Sequence, residues 1–396
     1  MARQLYPIGI QTFSKIREGG LVYVDKTSYI ARLVSTAQFV FLSRPRRFGK
    51  SLLLSTIKEL FSGKRELFDG LDITHTNYAW EEYPVLHLDF TGNDYNDPDG
   101  LYSNLNGLFE GWEEKYGITR TDRSLSERFR EIILRVCEQT GRKAVILIDE
   151  YDKPLLETVD NPELQQKFRN TLRGVYGNLK RMDQYIRFAM LTGVTKFGHL
   201  SIFSDLNNLT DISMRKEYAG ICGITTEELH KYFETGVSHL AKDNNLTHEE
   251  VFSRLQEMYD GYHFSPTRFV DIYNPFSILN ALDSGEFGDY WFQTGTPTFL
   301  IKMIKEGKMP LQELSELNTG LNALTDVSFD LGNYTAVLYQ SGYLTIKKYD
   351  TRFNSVTLGF PNKEVERGFM EQLLPYYTSL SSPKSSFEIS QFVLDV

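Results

Sequence analysis

The sequence predicts an α/β fold, a parallel sheet with helices on both faces, followed by a helical lid and a winged-helix-like region. Two observations carry the sheet. Four short runs are almost continuously apolar or β-branched, as strands covered on both faces must be, and helical patterns separate them. A third observation carries the rest: after Thr192 the strand signal fades and helical patterning takes over.

Taken in order, Asp25-Lys26-Thr27 precedes the periodic residues Ile30, Leu33 and Val34, so Asp25 is expected to cap a helix. The functional alternative folds this segment over a ligand, with Lys26 near a phosphate or base. The strands are expected at Phe39 to Ser43, Val85 to Phe90, Ala144 to Asp149 and Ile186 to Thr192. Helices are expected at Leu52 to Phe61, stopped by Gly63, at Leu101 to Trp112 with Leu105 and Leu108 on one stripe, and at Leu125 to Cys137. Thr225-Thr226-Glu227-Glu228 reads as a capping box opening a helix that carries Leu229, Tyr232, Phe233, Val237 and Leu240. Tyr334 to Ser341 reads as a helix ended by Gly342, with strands at Tyr343 to Tyr349 and Ser355 to Phe360 joined through Asp350 to Asn354. The expected organisation is an N-terminal segment on the core (1–35), the α/β core (36–200), a helical lid (201–300), the winged-helix-like region (301–378) and a linker (379–396).

Composition narrows the function classes. At about 150 residues per domain, 396 residues make two to three domains. The 43 basic and 52 acidic residues leave a net charge of -9, so nucleic-acid contact would have to be local. The apolar runs fall short of the roughly 18 residues of a membrane span, and the start lacks a signal-peptide pattern, so no membrane association and a cytoplasmic location are expected. Cys137 and Cys222 read as core residues, since two isolated thiols make neither a disulfide framework nor a zinc site. His230, His239 and His248 are spaced so that one helix cannot aim them at one metal.

The chemistry concentrates in Arg44-Pro45-Arg46-Arg47-Phe48-Gly49-Lys50-Ser51, between an expected strand and an expected helix. It matches the phosphate-loop pattern GxxxxGK(S/T) except that arginine replaces the first glycine. Backbone amides from Arg46, Arg47, Phe48 and Gly49 into Lys50, Ser51 and Leu52 would face an anion, Lys50 would reach the β- and γ-phosphates, and the Ser51 hydroxyl would bind magnesium. The plainer reading is a basic turn with a solvated lysine. Against it stands a second half-site, Ala144-Val145-Ile146-Leu147-Ile148-Asp149-Glu150, a buried strand ending in two carboxylates. Asp149 would support the metal and Glu150 would act as base toward a water. Thr192, at the end of the fourth strand, would sense the γ-phosphate or satisfy a local backbone group. Arg46, Arg47, Arg173 and Arg215 are candidates for the cation that stabilises transferring phosphoryl charge.

Phrases along the chain extend this: Tyr23-Val24-Asp25-Lys26-Thr27, the arginine-containing loop, Ile148-Asp149-Glu150-Tyr151-Asp152-Lys153-Pro154, Leu191-Thr192-Gly193, Asn207-Asn208-Leu209, Tyr259-Asp260-Gly261-Tyr262, Tyr273-Asn274-Pro275 and Gly359-Phe360-Pro361-Asn362-Lys363-Glu364-Val365. Together they make a sequence that resembles the bacterial AAA-ATPase-like proteins, which commonly carry a PD-(D/E)XK nuclease-like domain at their C-terminus. The resemblance implies a P-loop NTPase core with ATP and Mg2+ as ligands and Lys50, Ser51, Asp149 and Glu150 in the roles above. It also implies that the nuclease-like domain would follow Asn362, where this sequence soon stops, so that domain is expected to be largely absent. Pro98-Asp99 and Glu113-Glu114-Lys115 spell the nuclease letters, but the second triplet falls at the end of a helical pattern, so no nuclease is expected within these residues. The expected function is therefore magnesium-dependent ATP binding and hydrolysis, as the ATPase part of a nucleic-acid-processing or nuclease-associated protein. The alternative is a nucleotide-gated switch with little turnover, whose winged-helix region grips DNA, another nucleic acid or a protein partner.

Overall fold

A computed structural model of the chain describes residues 4–119, 122–197, 209–291, 314, 316–325, 327 and 333–377. The expected linker at 379–396 lies outside the described residues. Two short helices come first, α1 (Phe13–Glu18) and α2 (Thr27–Thr36), whose apolar faces reach the main core through Phe13, Ile16, Ile30 and Leu33. The first turn of α2 is met by the Asp25 carboxylate, which accepts from the Thr27 amide and hydroxyl, although the cap position itself is Lys26.

Five strands make the central sheet: β1 (Phe39–Ser43), β2 (Val85–Asp89), β3 (Ala144–Asp149), β4 (Ile186–Gly193) and β5 (Thr210–Asp211). Their order is β2-β3-β4-β1-β5 and every pairing is parallel. β1, β3 and β4 are buried along nearly their whole length. β2 departs from the expected burial on both faces. It alternates buried and half-buried residues because it stands at the sheet edge. β5 lies beyond the expected end of the sheet signal; two residues, one of them an aspartate, leave no apolar run to read.

The connection through α3 (Lys50–Phe61) carries the chain from β1 past β4 and β3 to β2, and α4 (Gly100–Lys115), α5 (Leu125–Thr140), α6 (Lys153–Leu156) and α7 (Pro162–Arg181) bring it back. Right-handed crossovers in opposite directions put α3 on one face and α5 and α7 on the other. Consistently, α3 touches β3 and β4, whereas α5 packs on β3 and α7. The sheet therefore brings the ends of β1, β4 and β3 side by side, and both halves of the expected site are carried there.

Beyond the sheet, α8 (Thr226–Asn244), α9 (His248–Tyr259) and α10 (Pro275–Ser284) share a second core around Leu229, Phe233, Val237, Val251, Leu255 and Ile278. Thr225 and Glu228 form the expected capping box, and Thr247 with Glu250 forms another. β6 (Ile224–Thr225) and β7 (Ile272–Tyr273) join the ends of this group as an antiparallel pair. α11 (Tyr334–Ser341) stops at Gly342, which is left-handed at φ 90°. Of the three strands β8 (Leu317–Gly320), β9 (Thr345–Asp350) and β10 (Ser355–Gly359), the last two are the expected hairpin. The strand expected from Tyr343 begins two residues later, because the Tyr343 and Leu344 amides turn back to the Leu338 carbonyl of α11. α12 (Lys363–Tyr377) follows. Among the described residues no helix is long and apolar enough to cross a membrane.

Two buried acids at the junction of these C-terminal elements give a pH dependence. Desolvation raises Asp260 and Glu364 each to about 7. Such a carboxyl group binds its proton more tightly folded than unfolded, where it titrates near 4. Its contribution favours the fold below that value and is lost as pH rises through about 7. The melting temperature is therefore expected to fall between pH 5 and pH 8 in thermal scans, less steeply in Asp260→Asn.

Candidate functional site

β1 delivers the chain to Arg44 at the end of the sheet, and six residues later α3 begins. Gly49 occupies the position before the helix in a left-handed conformation, φ 90°, and contributes no side-chain cap. The first helical bond runs from the Leu53 amide to the Gly49 carbonyl, so the amides of Lys50, Ser51 and Leu52 have no acceptor within the helix. Arg47 is also left-handed, at φ 68°, a conformation that costs a side-chain-bearing residue roughly 1–3 kcal/mol. Left-handed residues within a turn aim successive amides toward one hollow, the geometry that takes an anion.

Lys50 reaches back over this hollow. It is 4% exposed, donates to the Arg44 carbonyl at 3.1 Å and the Pro45 carbonyl at 3.2 Å, and lies 3.5 Å from the Glu150 carboxylate. Arg44, in the position where the phosphate-loop pattern has glycine, turns its side chain away from the hollow. Its guanidinium is buried, bonded to the carbonyls of Ser43, Ser213 and Tyr218, and lies 4.1 Å from the centre of the Phe264 ring. The arginine therefore leaves the hollow open and instead ties the start of the loop to the segment after β5.

The two acids follow β3. Asp149 is buried and its Oδ1 accepts from the Thr192 hydroxyl at 2.6 Å and the Glu150 amide at 3.0 Å. Burial raises its pKa, opposed by hydrogen bonds from Ser51 and Thr192. Glu150 is left-handed, at φ 52°. That sharp turn sets its carboxylate toward Lys50 and lets the Tyr151 amide bond to the Thr192 carbonyl. Of the five left-handed residues other than glycine among the described residues, Asn245 and Asn354 are of a type that tolerates the conformation. Two of the other three, Arg47 and Glu150, belong to this site.

Lys50, Ser51, Asp149, Glu150 and Thr192 thus form one connected set, with Thr192 facing Asp149 through its hydroxyl. Phe48 is buried against Tyr262 at 4.8 Å and Phe264 at 5.4 Å between ring centres, so what it offers a ligand is backbone. Arg46 and Arg47 are exposed on the loop, with the Arg47 guanidinium 3.7 Å from the centre of the Phe276 ring. Arg173 and Arg215 are exposed on α7 and after β5. Glu113 is buried in a bidentate pair with Arg128, while Asp99 stands exposed before α4, so the letters of the nuclease pattern do not converge. Among the described residues no group of histidine, cysteine and acidic side chains could hold a metal by itself. Cys222 is buried in the main core, and Cys137 packs half-buried against it and donates to the Tyr185 carbonyl.

Several contacts of the site could not be read from local spacing. Asp152 is fully buried and binds the amides of Val194 and Thr195 and the Thr195 hydroxyl, fixing the end of β4 beside the acids. Gly193 makes room for this clamp, since a Cβ there would lie 2.5 Å from Asp152 and 2.6 Å from the Tyr151 ring. Lys26 does not point into the hollow. Its ammonium is held by Glu228 at 2.6 Å and the Gly220 carbonyl at 2.8 Å, and it lines a cavity of about 90 Å³ beside Phe48, Gly49 and Leu52. The partners are 202 residues apart in the sequence, so spacing could not reveal the pair.

A parallel sheet in this order, with a glycine-lysine-serine turn after β1 and paired acids after β3, defines a protein of the P-loop NTPase type. The chain belongs to the AAA-ATPase-like family: residues 7–203 match the family model described as predicted AAA-ATPase. It is also 38% identical over 384 residues to an uncharacterized protein in the vnfD 5' region of Azotobacter chroococcum mcd 1, covering 95% of this chain and 71% of that relative.

Proposed function

We propose that the chain binds ATP with magnesium at the loop of residues 44–51 and hydrolyses it. The supporting observation is the single connected set of Lys50, Ser51, Asp149, Glu150 and Thr192 beside the uncapped start of α3. In this reading the amides of α3 and the loop take phosphate oxygens, and Lys50 exchanges its two carbonyl contacts for the β- and γ-phosphates. The Ser51 hydroxyl and the Asp149 carboxylate, already hydrogen-bonded to each other, supply the oxygen donors a magnesium ion requires. Magnesium there would neutralise charge across the phosphates. Thr192 fixes the orientation of Asp149, and Glu150 accepts the proton of the attacking water.

The cavity beside Gly49 suits the base. Val22, Val24, Leu52, Ile224, Phe233 and Leu279 give it apolar walls, and Lys26 is already satisfied by Glu228. In this reading the flat face of a purine ring would lie against these walls. Guanine would bring extra polar edges, which cost about 1–3 kcal/mol each when left unpaired. Calorimetric titration of the wild-type chain is therefore expected to show Mg-ATP binding at least tenfold tighter than Mg-GTP. Equal affinities would remove the base assignment, and no binding of either would remove the whole reading.

The role as the ATPase part of a nucleic-acid-processing or nuclease-associated protein is supported by the family resemblance. It is also supported by α11 followed by the β9–β10 hairpin, which this reading takes as the winged helix and whose tip exposes Arg352 and Phe353, the latter by 75%. One observation favours the alternative, a nucleotide-gated switch with little turnover: the Glu150 carboxylate faces Lys50 at 3.5 Å, engaged with a cation rather than free for water.

A further inference from the structure

Three of the phrases named above, Tyr259 to Tyr262, Tyr273 to Pro275 and Gly359 to Val365, meet in one place. The Asn274 amide donates to the Tyr259 carbonyl, and the Asn362 side chain donates to the Asp260 carbonyl at 2.7 Å. Gly261 passes so close to the Pro361 carbonyl that a Cβ would collide with it. This junction abuts the phosphate loop: Tyr262 packs on Phe48, and a Cβ on Gly342 would lie 2.7 Å from that of Pro45.

At its centre is Glu364, in the first turn of α12 and wholly buried. One carboxylate oxygen accepts from the Ser277 hydroxyl at 2.7 Å, the other from the Trp291 amide at 2.8 Å. The Trp291 ring packs edge-on against Tyr343, and its indole N–H donates to the Arg46 carbonyl at 3.4 Å. A trans peptide is planar, with its carbonyl and the next amide pointing opposite ways. Drawing the Arg46 carbonyl outward to Trp291 therefore turns the Arg47 amide the other way, and Arg47 adopts the left-handed conformation that such anion-binding turns use.

Resting on the ATP reading above, we propose that Trp291, seated by Glu364, is a positioning residue for the phosphate loop: it fixes the orientation of the Arg46–Arg47 peptide, so that the C-terminal junction sets nucleotide affinity. Neither residue touches the phosphates. Their contribution is to hold the anion-facing amide in place, and they connect α12 to the site through two hydrogen bonds and one side chain.

The test uses the full chain and two readouts. Trp291→Phe keeps an aromatic ring against Tyr343 and deletes the indole donor; calorimetry is expected to show Mg-ATP binding weakened about tenfold, with kcat within twofold and KM raised. Trp112→Phe, in the α4–α5 packing around Phe109 and Phe129, serves as the control and is expected to leave affinity unchanged. The sequence has three tryptophans, so Trp80→Phe with Trp112→Phe leaves Trp291 as the sole tryptophan, excited selectively over tyrosine. Its fluorescence is expected to change on adding Mg-ATP, and to stay silent when Glu364→Gln is added, which sets an amide N–H against the Ser277 and Trp291 donors. Wild type that binds ATP while Trp291→Phe binds it equally well, or while the sole tryptophan stays silent, overturns the positioning role and leaves the ATP reading intact. Wild type that binds no nucleotide overturns both.

Discussion

Lys50→Ala is expected to weaken Mg-ATP binding by a factor of 100 or more, with a melting temperature within a few degrees of wild type. Lys50 is 4% exposed, and its ammonium is held at the mouth of the loop by two backbone carbonyls and the Glu150 carboxylate. Against phosphate those contacts become charge-assisted hydrogen bonds in a partly desolvated site, worth about 1.5–3 kcal/mol each. Losing two of them corresponds to at least about 3 kcal/mol, and each 1.4 kcal/mol is tenfold in affinity. The fold is expected to lose less, because the substitution removes a buried charge and leaves its partner Glu150, whose side chain is 20% exposed, in contact with water. Calorimetry together with a thermal scan separates the two effects. Unchanged affinity would mean that phosphate does not bind at this loop.

Glu150→Gln is expected to lower kcat about 100- to 1,000-fold while Mg-ATP affinity stays within about threefold. The substitution keeps the shape and the left-handed turn at φ 52°, so the placement of Tyr151 and β4 is untouched. What it removes is a proton acceptor, and a positioned general base contributes about 10²–10⁴. It also removes the negative charge facing Lys50, which frees the ammonium for phosphate and works against any loss of affinity. Asp149 cannot take over as base, because burial and the Thr192, Ser51 and Glu150 amide contacts commit its oxygens. Turnover unchanged by Glu150→Gln would place the base elsewhere.

Much of this site was legible because its elements are local. An apolar run followed by Gly49-Lys50-Ser51, and another followed by Asp149-Glu150, specify strand ends by their own composition, and the capping box at Thr225 is contained in four residues. What escaped depends on pairing. β5 and β8 are held by neighbouring strands rather than by their own hydrophobicity, the β8 segment being Leu317-Asn318-Thr319-Gly320. Thr192 reads equally as a phosphate sensor or a local hydrogen-bonder until β4 is seen between β1 and β3, where its hydroxyl meets Asp149. Arg44 stands where the phosphate-loop pattern has glycine, and the sequence does not say where its side chain goes. The side chain lies buried on the carbonyls of Ser213 and Tyr218, about 170 residues away, which no window of sequence contains. Glu364 and Trp291 are of the same kind, since Trp291 bonds to Glu364, 73 residues away, and to the Arg46 carbonyl, 245 residues away.

The most direct test of the central claim is phosphate release from Mg-ATP by the purified wild-type chain beside Glu150→Gln, with nucleotide binding measured on the same samples. The account predicts release by wild type that stops when magnesium is chelated, and a Glu150→Gln protein that binds ATP but releases phosphate at least 100-fold more slowly. Binding without release by either protein would contradict the hydrolytic role and leave a nucleotide-gated switch; no binding by either would contradict the nucleotide site itself.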